Sequence, residues 1–179
     1  MGLISAHGPQ IVLETDRLLL RPWRVPEAVV QRELWTERDP RVPPRRRIDA
    51  DGRPTLADVE DWIRSGSRPP TLGLLAAERK GAGDVVGYCG LVAGTDLPPD
   101  EPELAYELLR RTWGQGYATE AGAAVLGWAR ESGYRRLWAT VRDWNVASLR
   151  VLAKLGFVAS GRVDRDEVHG DSLYLTMPL

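Results

Sequence analysis

The sequence predicts an α/β fold built on a mixed β-sheet. Two apolar runs, 71–78 and 85–92, flank the turn 79–84, which contains two glycines and is typical of a β-hairpin. From residue 103 onward the apolar spacing alternates between the strand period of two and the helix period of about 3.6. The hairpin favours antiparallel pairing early in the chain, and the later alternation favours strand–helix–strand connections.

The first half of the chain is expected to contain an extended segment and two helices before the hairpin. The extended segment covers 11–22, and Pro22 ends it. A loose helical stripe follows near 26–35. Thr55 is placed to cap a short helix over 55–63, with an acid three residues further on.

The second half is expected to begin with an alternating strand over 103–109. Leu104, Tyr106 and Leu108 share one face of it, and Glu103, Ala105 and Glu107 share the other. The later elements are a helix over 118–132 with Gly133 as its C-cap, a strand over 137–141, a helix capped by Asn145 and ended by Gly156, and strands over 157–163 and 173–177.

The composition indicates one globular domain that carries no basic footprint for nucleic acid, since the 179 residues have a formal net charge of -1. The single cysteine excludes an internal disulfide and fits a reducing compartment. No apolar run approaches the roughly 20 residues of a membrane span. Residues 1–10 lack the features of a secretory signal. We therefore expect an N-terminal tail over 1–10, one domain over 11–179 and a cytoplasmic location.

The candidate binding element is the glycine-containing loop between strand 103–109 and the following helix. A helix N-terminus exposes N–H groups that suit an anion, and Gly114 and Gly116 allow the backbone to approach it closely. A dinucleotide fingerprint would need a third glycine where Thr119 stands, and a P-loop would need a lysine. A purely structural strand-to-helix turn stays open on the two glycines alone.

The residues around this loop resemble a known family. Arg-Thr-Trp-Gly-Gln-Gly at 111–116 matches the Gln/Arg-x-x-Gly-x-Gly/Ala signature of the GNAT superfamily of N-acetyltransferases. Segments 145–148 and 154–157 are similar to the second cofactor-side motif of that superfamily. Segments 14–23, 106–109 and 113–121 resemble the RimJ/RimL-like branch, which acetylates protein N-termini. The likeness runs in the expected order from about Val12 to the C-terminus.

The resemblance implies a GNAT-like fold, a mixed twisted sheet in which two central parallel strands splay apart between flanking helices. It implies acetyl-CoA as co-substrate, with the diphosphate on the N–H groups of the loop and the pantetheine arm between strands 104–109 and 137–141. A backbone N–H of Leu108 or Leu109 would polarise the thioester carbonyl. The implied cofactor-binding residues are Leu108, Leu109, Arg111, Trp113, Gly114, Gln115, Gly116, Tyr117, Ala118, Thr119, Asn145 and Ser148, of which Asn145 is equally well explained as a plain helix cap.

The resemblance also implies direct attack of a primary amine on the thioester. Glu103 occupies the position of the base, and Glu107 on the same face is the alternative. Many relatives protonate the thiolate with a tyrosine where this chain has Leu152, so the role of acid passes to Ser148, as in the RimL-like branch. No metal is expected, and a homodimer is common among similar proteins.

Four hypotheses stay open, two about the acceptor and two about a function of another class. The leading acceptor is a protein or peptide N-terminus, because an α-amine with a pKa of about 7.7–8.0 is far more often neutral than a lysine near 10.4. A small-molecule amine is the second acceptor. A non-catalytic acyl-CoA sensor and a nucleotide-binding regulator are the hypotheses of other classes.

The remaining candidates concern packing and the acceptor side. Cys89 is expected in the core, and His7 and His169 are too isolated for a metal site. Trp23 and Trp35 are candidates to line the acceptor cleft. The irregular stretch 38–54 is either a solvated loop or a mobile lid that favours an acidic acceptor, because it concentrates six arginines: Arg38, Arg41, Arg45, Arg46, Arg47 and Arg53.

Overall fold

A mixed β-sheet of eight strands forms the centre of the molecule, in the order β1-β2-β3-β4-β5-β6-β8-β7. The computed structural model describes residues 12–66 and 73–179. The strands are β1 (Leu13–Glu14), β2 (Leu18–Arg21), β3 (Gly73–Arg79), β4 (Val85–Val92), β5 (Glu103–Leu108), β6 (Arg136–Arg142), β7 (Val158–Asp164) and β8 (Ser172–Pro178). The helices are α1 (Ala28–Glu37), α2 (Leu56–Ser65), α3 (Tyr117–Glu131) and α4 (Val146–Leu155).

The sheet is antiparallel from β1 to β5 and parallel between β5 and β6, so the predicted mixed α/β fold is confirmed. The two parallel strands form a register pair at one place, Glu103 with Trp138. Beyond it they separate, although β6 continues to pair with β8 along its whole length from Arg136 to Arg142. The sheet therefore opens into a gap at its centre.

Helices cover the two faces of the sheet. On one face, side chains of β5 such as Leu104 and Leu108 join Val125 of α3 and Leu152 of α4 in the main hydrophobic core. Burial of each such leucine contributes about 1.5–3 kcal/mol. On the other face the residue that ends α1, Arg38, reaches Glu107 of β5. No helix in ranges 12–66 and 73–179 is long and apolar enough to span a membrane.

The ends of the helices follow local sequence signals. Thr55 and Asp58 form the predicted capping box of α2, and the Asn145 side chain accepts a hydrogen bond from the Ser148 N–H at the start of α4. Gly156 ends α4 with φ 93°, and the Phe157 N–H donates to the Leu152 carbonyl at 3.0 Å. Each of these expectations is confirmed.

The hairpin of β3 and β4 is also where predicted, although residues 71–72 lie outside the described part of the chain, as do residue 11 and the tail 1–10 with His7. Gly87 in β4 has φ 153°, and a β-carbon there would lie 2.1 Å from the Glu107 carbonyl oxygen. Only glycine lets β4 approach the end of β5 this closely. This close approach determines the position of Leu108 relative to β4, at the end of β5 next to the gap.

Candidate active site

The N-terminus of α3 is an uncapped set of amide donors. Gly114 and Gly116 have φ 75° and 84°, which any other residue adopts only under strain. Gly116 is the N-cap and has no side chain to satisfy the first turn, whose first helical bond runs from the Glu120 N–H to the Gly116 carbonyl at 3.0 Å. The N–H groups at 117–119 precede that bond and point out of the helix end, where the helix dipole favours an anion.

Two of the predicted loop residues contribute in other ways. The Trp113 N–H donates to the Arg110 carbonyl at 3.0 Å, so the set of available amides begins after Trp113 rather than at it. The Arg111 guanidinium pairs with the Glu33 carboxylate of α1 at 2.6 Å, and the Arg111 carbonyl accepts from the Gln115 side chain at 3.2 Å. Both residues therefore support the loop through protein contacts.

A brace that sequence reasoning missed holds the loop from the other side. Glu120 accepts hydrogen bonds from the Thr15 hydroxyl at 2.6 Å, the Arg17 N–H at 2.9 Å and the Arg17 Nε at 2.6 Å. Arg17 also donates to the Gln115 carbonyl at 3.0 Å and lies over the Tyr117 ring. Burial alone raises the pKa of Glu120, but these donors hold the pKa below its usual value. These contacts connect the loop and the first turn of α3 to the segment just before β2.

The register of β4 and β5 determines which backbone groups face the gap. The Leu109 N–H donates to the Val86 carbonyl at 2.9 Å, so the pair formed by Leu108 and Gly87 is a non-hydrogen-bonded one. By alternation, the backbone groups of Leu108 and Tyr106 point away from β4 and into the gap. The Leu108 carbonyl accepts from the Trp113 indole at 2.6 Å, which leaves its N–H as the donor at the mouth of the gap.

This register corrects one prediction. Leu109 cannot supply the N–H that polarises a carbonyl, because that N–H belongs to the sheet. The Leu109 carbonyl is also occupied, by the N–H of Thr112 at 2.9 Å and its hydroxyl at 2.8 Å. The Leu109 side chain is fully buried, so the residue anchors the strand end. Of the two candidates only Leu108 faces the gap.

The two acids on the outer face of β5 have different surroundings. Glu103 accepts the Thr140 N–H through Oε1 at 2.8 Å, across the gap. Glu107 is held by the Arg38 guanidinium at 2.8 and 2.7 Å and by the Tyr88 hydroxyl at 2.8 Å. Burial and the Glu107 charge raise the pKa of Tyr88, so its hydroxyl remains a donor. Glu107 therefore has a structural ion pair, and the second carboxylate oxygen of Glu103 has no hydrogen-bond partner among the described residues.

The predicted acid, Ser148, lies beside a tyrosine that sequence reasoning assigned only to an apolar face. The Tyr106 hydroxyl is 2.8 Å from the Ser148 Oγ and donates to the Ser148 carbonyl at 3.1 Å. Burial raises the pKa of Tyr106 to about 12, and the Ser148 hydrogen bond opposes that rise. The phenol is therefore neutral at physiological pH. Its alternation with Leu104 and Leu108 was visible in the sequence, but its partner on α4 was not.

The arginine-rich stretch has contacts to the rest of the fold at Arg38 and Arg41, although residues 44–46 and 49–51 are exposed. Arg38, with 10% of its side chain exposed, connects the stretch to β5 through Glu107. The Arg41 guanidinium lies 4.1 Å from the Trp144 ring, and the Arg41 carbonyl is 3.1 Å from the His169 Nδ1. The stretch thus touches both the turn after β6 and the loop before β8. Through Arg38 and Glu107 the stretch also lies beside the outer face of β5, the face that carries Glu103.

The other predicted residues have packing roles. Cys89 is fully buried in the core, as expected, and burial raises its pKa to about 12. Leu152 is buried in the same core. Trp35 packs against Arg38 at 4.0 Å and Trp62 at 5.9 Å, which accounts for its position without a ligand. Within ranges 12–66 and 73–179 no group of three or more potential ligand side chains could hold a metal ion.

Comparison with known proteins adds a family to this geometry. Residues 17–158 match the family described as acetyltransferase (GNAT) domain. The chain is 33% identical to the uncharacterized protein YkkB of Bacillus subtilis over 97 residues, which are 54% of this chain and 56% of YkkB. It thus matches little more than half the length of that relative. It is 28% identical to the uncharacterized N-acetyltransferase p20 of Bacillus licheniformis over 151 residues, which are 83% of each chain.

The fold also occurs among solved structures. The ribosomal-protein-S5-alanine acetyltransferase of Vibrio fischeri superposes with a TM-score of 0.63 at 18% identity. The match covers 94% of this chain and 96% of that one. At this identity the likeness concerns the fold alone.

Proposed function

Because the chain belongs to the GNAT family of acetyltransferases, we propose that it moves an acetyl group from acetyl-CoA to the α-amino group of a protein or peptide N-terminus. The family identifies the chain as an acetyltransferase. What we propose is that acetyl-CoA is the co-substrate and an N-terminal α-amine is the acceptor. The observation that carries it is the uncapped N-terminus of α3 beside a gap in the sheet.

The residues fit coenzyme A. Its diphosphate is a compact double anion, and the three outward N–H groups at 117–119 form a donor set at the positive end of a helix of 15 residues. Its pantetheine arm carries two amides, and the gap offers backbone groups of Tyr106 and Leu108 that lack a β4 partner. When bound, the coenzyme supplies a thioester carbonyl that an amine can attack. Leu108 would hold acetyl-CoA near that carbonyl, and Trp113 and Arg111 would act by supporting the loop.

The protein groups then divide the remaining work. The Leu108 N–H stabilises the charge that develops on the carbonyl oxygen. As the nitrogen–carbon bond forms and the carbon–sulfur bond breaks, Glu103 accepts the proton lost by the acceptor nitrogen. Tyr106 donates to the Ser148 Oγ, so that the Ser148 hydroxyl hydrogen is available to the departing sulfur. Asn145 contributes by capping α4 and so fixing the position of Ser148.

The choice of an α-amine follows from acidity. An α-ammonium group has a pKa of about 7.7–8.0, whereas a lysine has about 10.4, a gap of roughly 3.4 kcal/mol. A single carboxylate can serve as proton acceptor for an α-amine, because the α-ammonium group is the more acidic of the two and the amine is more often already neutral. The resemblance of its motifs to the RimJ/RimL-like branch supports a protein acceptor, and one solved structure with the same fold is named a ribosomal-protein-S5-alanine acetyltransferase.

The experiment is a measurement of free thiol released from acetyl-CoA in the presence of matched acceptors. The panel pairs peptides that have a free α-amine with the same peptides N-terminally blocked but carrying a lysine, and adds small amines. We expect turnover with free α-amines and little with lysine alone. Faster turnover of small amines would move the acceptor to that class. Saturable acetyl-CoA binding without turnover of any acceptor would favour a sensor, and a rise in Tm with ATP or NAD but not CoA would favour a nucleotide-binding regulator.

A further inference from the structure

The arginines of stretch 38–54 divide into two groups by their partners. Arg38 pairs with Glu107, Arg41 with Asp39 and Arg53 with Asp58. The three consecutive arginines at 45–47, by contrast, form no ion pair with any residue in ranges 12–66 and 73–179. They add local positive charge to a chain whose net charge is -1. The three positive charges lie on consecutive residues, 45–47.

A hydrogen bond places the backbone of residue 46 beside the outer face of β5, on which Glu107 lies. The Arg38 guanidinium binds Glu107 through Nε and Nη2, and its Nη1 donates to the Arg46 carbonyl at 2.9 Å. Residue 46 is therefore connected to the outer face of β5 through a single side chain. In agreement, burial and Glu107 raise the pKa of Tyr88, and the charges of Arg38 and Arg46 oppose the rise.

A buried donor without an acceptor lies in the same stretch. The Nε of Arg47 is buried and has no hydrogen-bond partner among the described residues, and the same holds for the indole Nε1 of Trp23. Both groups can only donate. Buried donors are nearly always paired in folded proteins, and an unpaired one is costly. Arg47 as a whole is only partly buried, so the rest of its guanidinium group is open to an acceptor atom from a ligand.

We propose that Arg46 and Arg47 bind an anionic group of the acceptor, a carboxylate or a phosphate monoester, so that the enzyme prefers acidic acceptors. The proposal rests on the proposed function, since the amine must reach Glu103 on the same face. Guanidinium groups match the planar, bidentate geometry of carboxylates and phosphates. Glu107 does not repel such a group, because Arg38 neutralises it.

Two pairs of peptides test the preference. One pair differs only by glutamate or glutamine at the second residue, and the other by phosphoserine or serine there. We expect kcat/KM to be about tenfold or more higher for at least one acidic member, as for a charge-assisted hydrogen bond in a partly shielded site. The pair that shows the larger difference identifies the anionic group as carboxylate or phosphate.

Variants assign the effect to its residues. Arg47→Gln and Arg46→Gln are expected to remove most of the preference by raising KM for the acidic peptide, with kcat for the neutral peptide unchanged. Arg45→Gln removes the same charge from the same turn and serves as the matched control, which should keep the preference. Far-UV circular dichroism and Tm show that each variant is folded.

The outcomes separate the two levels of the proposal. Equal kcat/KM for acidic and neutral members, or a preference that survives both Arg46→Gln and Arg47→Gln, overturns the inference and leaves the acetyltransferase function intact. Equal losses in all three variants, Arg45→Gln included, would also overturn it, because the effect would then be a general one of charge. Absence of acetylation for every peptide would instead count against the peptide N-terminus as acceptor.

A binding measurement removes the dependence on turnover. The N-acetylated product of the preferred acidic peptide retains the anion but cannot react again. We expect calorimetric titration with this product to show a Kd about tenfold higher for Arg47→Gln than for the Arg45→Gln control. Identical affinities in the two variants would contradict a role for Arg47 in binding.

Discussion

Glu103 accepts the N–H of Thr140 at 2.8 Å, across the place where β5 and β6 part. The Trp138 N–H, two residues earlier on β6, still donates to the Pro102 carbonyl at 3.0 Å. In a continuous parallel sheet the next bond would come from a backbone carbonyl of β5. The Glu103 carboxylate replaces that carbonyl, so the residue proposed as base also marks the start of the gap.

Glu103→Gln separates these two roles, because the amide oxygen of glutamine still accepts from Thr140 but the side chain is no longer basic. We expect kcat/KM near neutral pH to fall about 100-fold, with Tm almost unchanged, in a thiol-release assay combined with thermal unfolding. Glu107→Gln is the matched variant. It weakens a largely buried ion pair with Arg38 and should instead lower the free energy of unfolding by about 2–4 kcal/mol. A reversal of the two results would exchange the roles of the acids.

Gly116→Ala tests the loop as the coenzyme site. Gly116 has φ 84°, so alanine there costs about 1 kcal/mol in strain and distorts the amide set. Gly133, just past the other end of α3, has φ 85° and open space around its missing β-carbon, which makes Gly133→Ala the control with equal strain. We expect the Kd for CoA, measured by calorimetry, to rise at least tenfold in the first variant only. Equal affinities in the two variants would remove the loop from the binding site.

Tyr106→Phe should slow the reaction without loosening the coenzyme. The phenol orients the Ser148 hydroxyl through a bond of 2.8 Å, and loss of one such bond corresponds to about tenfold in kcat. Ser148→Ala should have a similar effect, and the double variant should be no worse than the more affected single one, because the pair acts as a unit. Additive losses would show that the two hydroxyls act independently.

Glu120 makes stability sensitive to acid. Its pKa is lowered in the folded protein, so its contribution is present above its usual value of 4.5 and is lost as pH falls through the folded value. Glu120→Gln is expected to lower the free energy of unfolding at pH 7 by about 1–3 kcal/mol and to flatten its decline below pH 4.5. Urea titrations from pH 7 to 3 provide the measurement. An unchanged acid slope would mean that other carboxylates govern it.

Cys89 and Tyr106 make stability sensitive to alkali. Burial raises both pKa values to about 12, above the usual 9.0 and 10.0, so the stabilising effect of each neutral group is complete below its usual pKa and is lost as pH rises towards 12. We expect a thiol reagent to label Cys89 at neutral pH only when denaturant is added, and Tm to fall from pH 9 upward. Rapid stoichiometric labelling of the native protein would contradict the burial.

Local chemistry explains which features the sequence could predict. Helix caps at Thr55 and Asn145, and the glycine turns at Gly116 and Gly156, depend on neighbours within a few residues, so their sequence patterns were sufficient. The hairpin was predictable for the same reason, and the alternation over β5 placed Glu103 and Glu107 on one face.

Contacts between segments that are distant in sequence could not be predicted from local sequence patterns. Arg17 and Glu120 are 103 residues apart, and Arg38 and Glu107 are 69 apart, and no periodicity pairs them. The prediction for Leu109 was wrong because it required the hydrogen-bonding phase of β4 and β5, which a shift of one residue reverses. That phase depends on Gly87 and its close approach to β5.

Because β5 and β6 pair at only one position, the sheet consists of two halves that meet at that position and diverge beyond it. Glu103 lies in the half that contains β5. Ser148 lies on α4, which follows β6 and therefore belongs to the other half. The hydrogen bond between Tyr106 and Ser148 joins the two halves, so this bond and the angle between the halves together set the separation of the proposed base and acid. At the position where the two halves meet, the Trp138 indole donates to the Glu101 carboxylate at 2.7 Å. A substitution there would change catalytic geometry from outside the active site, without altering any residue that touches a substrate.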